Sequence, residues 1–250
     1  MGILRTAPAV ALIALVACSP SPHVSATGRA AQASASESIK YVAPAPQPTQ
    51  RVLSIRIDLQ DHRLSCEAAA LKMALAFEGI KIDELTLMRY MSLDSRPARF
   101  AGGNLMTWGD PAKAYVGNPD GHIEWYTGYG VYNAPVAKAA VRAGAHVIGS
   151  GSGLYGKGIA PSAIYSAVLS GHPAVVWISN TYRQVPLARY TAYDGATVWY
   201  TLTEHAVTVV GVRPGAVLIN DPWFGKAWHS KAQFESAYKT FDHMAVIIAR

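Results

Sequence analysis

A cysteine at the start of a helix can serve as a nucleophile, and this chain offers one. In Gln60-Asp61-His62-Arg63-Leu64-Ser65-Cys66-Glu67-Ala68-Ala69-Ala70 a polar, turn-like segment runs into an apolar stretch. The pattern predicts a helix over 65–78 with Gly79 closing it. Serine suits an N-cap, so Cys66 falls in the first turn. Unpaired N–H groups and the helix dipole favour negative charge there, and the expected thiol pKa is depressed. A cysteine among alanines also fits a small buried core residue. The rest of the chain has to decide between the two.

A thiol nucleophile needs a base and a group that orients the base. His205 opens the apolar run His205-Ala206-Val207-Thr208-Val209-Val210-Gly211-Val212 directly after Thr203-Glu204. A strand that apolar is central, and its first residue lies at the rim of a sheet. Asp221 ends the next strand, Val217-Leu218-Ile219-Asn220-Asp221, just before Pro222. Adjacent antiparallel strands would bring His205 and Asp221 together, and Asp221 would then orient the imidazole. An aspartate before a proline also fits an ordinary turn.

The elements that must hold these residues read as follows. Residues 52–57 suggest a short strand before the Cys66 helix. Helices are expected over 83–91, 135–143, 162–169 and 231–238, and strands over 172–178, 197–202, 205–212, 216–220 and 244–248. Residues 95–130 show little periodicity and many turn residues. Trp125 to Tyr132 forms an aromatic, glycine-rich loop able to line a groove. Helices in front and an antiparallel sheet behind give an α+β fold.

Four stretches carry a family resemblance: Ser65-Cys66-Glu67-Ala68-Ala69; Trp108-Gly109-Asp110-Pro111 with Val116-Gly117; the strand at His205; and Asn220-Asp221-Pro222-Trp223. Gln60 lies six residues before Cys66, His205 139 after it, and Asp221 16 after His205. Order and spacing resemble the papain-like cysteine peptidases, although no Gly-Ser-Cys-Trp pattern surrounds Cys66. The chain looks more like the bacteriocin-leader-processing group, peptidase family thirty-nine, and its stand-alone relatives. That resemblance implies a papain-like fold over 51–250 and Cys66 as nucleophile. It also implies His205 as base, Asp221 as its partner with Asn220 as the lesser candidate, and Gln60 as an oxyanion donor beside the Cys66 N–H. The chain shows no transporter-type segment, so cleavage after a double glycine is not implied.

The implied function is hydrolysis of peptide bonds through a thioester. The same triad could instead pass the acyl group to an amine or thiol, or be an inert peptide-binding groove. No cofactor or metal is expected. Gly151-Ser152-Gly153-Leu154-Tyr155-Gly156 lacks the βαβ setting of a dinucleotide site. His122, His229 and His243 show no ligand spacing. Trp223 and Trp228 are placed against the His205–Asp221 pair.

The 250 residues are half apolar and 15% charged, enough for one domain with appendages. The net charge of +6 is scattered, which argues against nucleic-acid recognition. Residues 1–17 read as a signal peptide: Arg5 and then an apolar run too short to span a bilayer. Leu15-Val16-Ala17-Cys18 resembles a bacterial lipobox, which implies lipid attachment at Cys18. Ordinary secretion with cleavage near Ala26 is the alternative, and an unlipidated Cys18 could pair with Cys66. Residues 18–50 form a Pro/Ala/Ser-rich linker. The expectation is an exported, lipid-anchored monomer facing an exported peptide or protein.

Overall fold

β1 (Arg51–Val52) is followed by α1 (Cys66–Phe77) and α2 (Glu84–Met91), and then by short strands. These are β2 (Leu93–Asp94), β3 (Arg99–Ala101), β4 (Asn104–Trp108), β5 (Tyr115–Gly117) and β6 (Gly128–Gly130). Next come α3 (Asn133–Arg142), β7 (His146–Gly151), α4 (Pro161–Ser170) and β8 (Ala174–Ser179). The chain continues with β9 (Ala188–Ala192), β10 (Thr197–Tyr200), β11 (Glu204–Arg213) and β12 (Ala216–Asp221). It closes with β13 (Gly225–Ser230), α5 (Lys231–Tyr238) and β14 (Ala245–Ala249). This computed structural model describes residues 48–249, all within a compact unit that starts at Ala45. The signal peptide, Cys18 and nearly all of the linker lie outside the described residues.

The main sheet has the order β13-β12-β11-β8-β14-β7, with β1 paired to the far end of β11. Every pairing in it is antiparallel. β11 is buried at every residue but its last, because β8 and β12 flank it and helices cover its faces. A second sheet, β10-β9-β4-β3, and a third, β2-β5-β6, come from the stretch that lacks periodicity and from 188–200. The fold is α+β with helices on an antiparallel sheet, as the sequence predicts.

α1 is apolar on nearly every side and is buried from Cys66 to Leu71 and from Met73 to Leu75. Ala68, Ala69, Ala70 and Ala74 leave no bulk, so the helix backbone approaches the sheet closely. Thr208 on β11 donates its hydroxyl to the Ala70 carbonyl at 2.8 Å. The fully buried Leu71 and Leu75 each contribute about 2 kcal/mol to holding α1 in the core. The thiol-bearing helix and the His205 strand are thereby locked face to face.

Two local expectations change. Ser65 occupies the N-cap position, but its hydroxyl caps nothing. It donates instead to Glu84 Oε2 at 2.5 Å, tying the turn to α2. The early strand stops at Val52: Leu53 still bonds Val210, after which the chain turns along the sheet with Leu53 and Ile55 buried.

Candidate active site

Cys66 is the first residue of α1 and only 6% exposed. Its sulfur accepts the Ala206 N–H of β11 at 3.4 Å and donates to Glu67 Oε2 at 3.3 Å. Burial, and then the charges of Glu67 and Glu204, push the thiol well above its ordinary pKa, and the Ala206 N–H offsets only part of this. This overturns the expected depression. A helix dipole acts across one turn, whereas this thiol is withdrawn from water beside two acids.

His205 lies near the head of β11, opposite Ile178 of β8. Asp221 ends β12, and its Oδ1 is 2.8 Å from His205 Nε2. Both side chains are 2% exposed. Asp221 Oδ1 also accepts the N–H groups of Trp223 and Phe224, and Oδ2 accepts the Tyr182 hydroxyl at 2.9 Å. Burial raises the carboxyl, but the His205 hydrogen bond and charge and the two backbone donors outweigh it, leaving the pKa below the ordinary value. With Nε2 held by Asp221, Nδ1 is the ring nitrogen left for a thiol. Among the described residues, no hydrogen bond joins it to Cys66 in this geometry; the sulfur faces Glu67 and Ala206 instead.

Asn220 points to the other face of β12, as strand alternation requires. Its amide donates to the Arg56 carbonyl at 3.2 Å, so it is not the partner of His205. Trp223 lies tilted at 5.7 Å from the His205 ring, with Phe224 at 6.4 Å, and both aromatics are exposed. Trp228 does not share that position. It sits on the edge strand β13 beneath the Arg213 guanidinium.

Gln60, Cys66, Glu204, His205, Tyr129 and Trp223 line one cavity of about 30 Å³. Gln60 therefore reaches the site, but its amide nitrogen donates to the His62 and Arg63 carbonyls, each at 2.7 Å. A second groove of about 550 Å³ is walled by Phe100, Trp108, Trp125 and Tyr126. The aromatic loop thus divides: its first residues face this groove, while Tyr129, Val131 and Tyr132 are buried.

Residues 39–246 match the Peptidase_C39 like family. The chain belongs to that family. It is 28% identical over 221 residues to the uncharacterized protein YvpB of Bacillus subtilis strain 168, covering 87% of this chain and 82% of that one. Among solved structures it resembles a Bacillus anthracis protein assigned as a C39-like peptidase, with a TM-score of 0.66 and 23% identity. That match covers 80% of this chain and 98% of the other. A more distant likeness is to the peptidase domain of Streptococcus ComA, a bi-functional ABC transporter of a quorum sensing pathway, with a TM-score of 0.47 and 13% identity over 78% and 98% of the two chains. The family and the fold are those of peptidases.

This C39-like chain also holds residues that the sequence reading passed over. Glu67 is fully buried beside the thiol, and its Oε1 accepts the Val131 N–H. Burial raises its pKa to about 7, against that hydrogen bond. Glu204, the neighbour of His205 in sequence, is raised well above its ordinary value by burial and then by the charge of Glu67. Gly130 makes room for Glu67: its φ is +138°, and a Cβ there would lie 2.2 Å from Glu67 Oε1. A glutamate set between the cysteine and a run of alanines was the available signal for Glu67. Tyr182 lies 39 residues before Asp221 in a turn and gave no signal.

Proposed function

We propose that the chain is a thiol peptidase in which Cys66 is the nucleophile, His205 the base and Asp221 the residue that positions His205. The observation that carries this reading is the buried 2.8 Å His205–Asp221 pair, whose His205 lines the same small cavity as Cys66. Rotation of the thiol away from Glu67 would present it to His205 Nδ1. The imidazole takes the thiol proton, and the sulfur attacks the carbonyl carbon of a peptide bond. The Cys66 N–H, unpaired in the first turn, donates to the resulting oxyanion. Gln60 joins it once one amide hydrogen leaves a loop carbonyl. His205 then returns the proton to the departing amine, and water hydrolyses the thioester.

The substrate is an exported peptide or protein, and the groove of Phe100, Trp108, Trp125 and Tyr126 favours apolar or aromatic side chains near the cut. Lipid attachment at Cys18 would hold the enzyme at the cell envelope. Incubation of the full chain with a peptide library, reading new termini by mass spectrometry, tests the reaction. Amide cleavage lost in both Cys66→Ala and His205→Ala is expected. Cleavage that survives either change would sink the assignment. For the anchor, a palmitate analogue should label the wild type and not Cys18→Ala.

A further inference from the structure

Three acids meet at one point, the proposed nucleophile and two glutamates. The Cys66 sulfur and one carboxylate oxygen each from Glu67 and Glu204 lie within 4.8 Å of one another, all in buried residues. Glu67 has partners of its own: Val131 N–H and the thiol. Glu204 differs. It is 7% exposed, and its Oε1 is buried with no hydrogen-bond partner. A buried carboxylate oxygen with nothing to accept leaves its desolvation uncompensated and calls for a donor or a cation. Gln60 Oε1, on another lining residue of the cavity, is a second unpartnered acceptor. Cys66 and Glu204 both line the cavity of about 30 Å³, which has room for one water or one ion beside them.

The geometry points to a site for a single thiophilic divalent cation of zinc type, held by Cys66, Glu67 and Glu204. One sulfur and two carboxylate oxygens suit that borderline-soft ion better than they suit magnesium or calcium. A tetrahedral zinc with bonds of ~2.3 Å to sulfur and ~2.1 Å to oxygen has an S···O edge of roughly 3.6 Å. The Cys66 Sγ to Glu67 Oε2 separation of 3.3 Å is close to that edge. Loading replaces the thiol proton and the protons held by the carboxyls, which pass to solvent. The bound ion ties up the sulfur lone pair, so it caps the thiol. This consequence rests on the reading of Cys66 as nucleophile; the site itself does not.

Reduced, metal-free full chain should be titrated with zinc chloride by calorimetry, and alkylation of Cys66 by iodoacetamide followed with and without the ion. One zinc per chain and a labelling rate slowed at least tenfold are expected. Cys66→Ser, nearly isosteric, should abolish tight binding, and Glu204→Gln should weaken it roughly a hundredfold. Cadmium in place of zinc should give a sulfur-to-metal charge-transfer band absent in Cys66→Ser. Binding unchanged in Cys66→Ser, as surface histidines would give, or alkylation indifferent to zinc, would overturn the site. His205→Ala separates the two proposals: it should lose peptide cleavage and keep the zinc.

Discussion

The two halves of the candidate site are built on opposite electrostatic principles. On the sheet side, both Asp221 oxygens are partnered, by an imidazole, two N–H groups and a tyrosine hydroxyl. On the helix side, a thiol and two glutamates crowd together, and Glu204 Oε1 has no partner. The first half favours charge and the second resists it. Folding stability must therefore respond to pH in opposite directions at the two ends. Asp221 has a depressed pKa, so its contribution is present above about 3.8 and is lost as pH falls through its folded value. Glu67 has a raised pKa. The folded state holds a proton that the unfolded chain releases, so that contribution is complete below about 4.5 and lost as pH rises through about 7. A site of this kind is rigid where the base is oriented and conditional where the nucleophile waits.

The largest expected effect falls on the rigid half. His205→Ala should lower kcat/KM for amide cleavage by roughly 10²–10⁴-fold, and it should also lower the melting temperature, because Asp221 stays buried without its imidazole partner. Should Asn220→Ala do the same and His205→Ala do nothing, the pairing would be misread. Gln60→Ala should cost roughly 10²-fold in kcat, the usual effect of removing one oxyanion donor, with KM nearly unchanged. On the conditional half the sign reverses. Glu67→Gln combined with Glu204→Gln removes the carboxyl groups that oppose the thiolate once they ionise, so iodoacetamide should label Cys66 faster than in the wild type as pH rises above 7. The same double variant should flatten the fall in melting temperature between pH 4.5 and 7; an unchanged slope would place the titration elsewhere. Smallest of all, Tyr182→Phe removes one of four bonds to Asp221 and should cost about 1 kcal/mol of stability, read from urea unfolding.

The sequence showed the rigid half well and the conditional half poorly, for a physical reason. His205 and Asp221 stand at the rim of a central strand and at a strand end, and of the conditional half only Cys66, at the head of a helix, could be singled out. Their positions follow from long apolar runs that fix local structure: α5 appears as expected, and β11, β12 and β14 within a residue. Glu67 and Glu204 look like polar interruptions, and only tertiary packing makes them buried neighbours. β13 and β7 were missed for a similar reason. Both are edge strands with mixed or glycine-containing sequences, defined by the ladders to β12 and β14 rather than by their own pattern. The strands between Leu93 and Gly130 are two to five residues long, too short to show a period, and β4 also relies on β9 far along the chain. The Ser65 hydroxyl was predicted from cap preference and lost to Glu84, which local preference cannot foresee.

Gly130 carries a consequence for how this site can change over generations. Its missing side chain is the space that the Glu67 carboxylate fills, so the two positions cannot vary independently. A lineage that gains any side chain at 130 while glutamate remains at 67 must pass through a clash as well as an unfavourable backbone. The reverse order, with 67 shrinking first, opens the space before it is taken, and drift at this pair therefore has a direction.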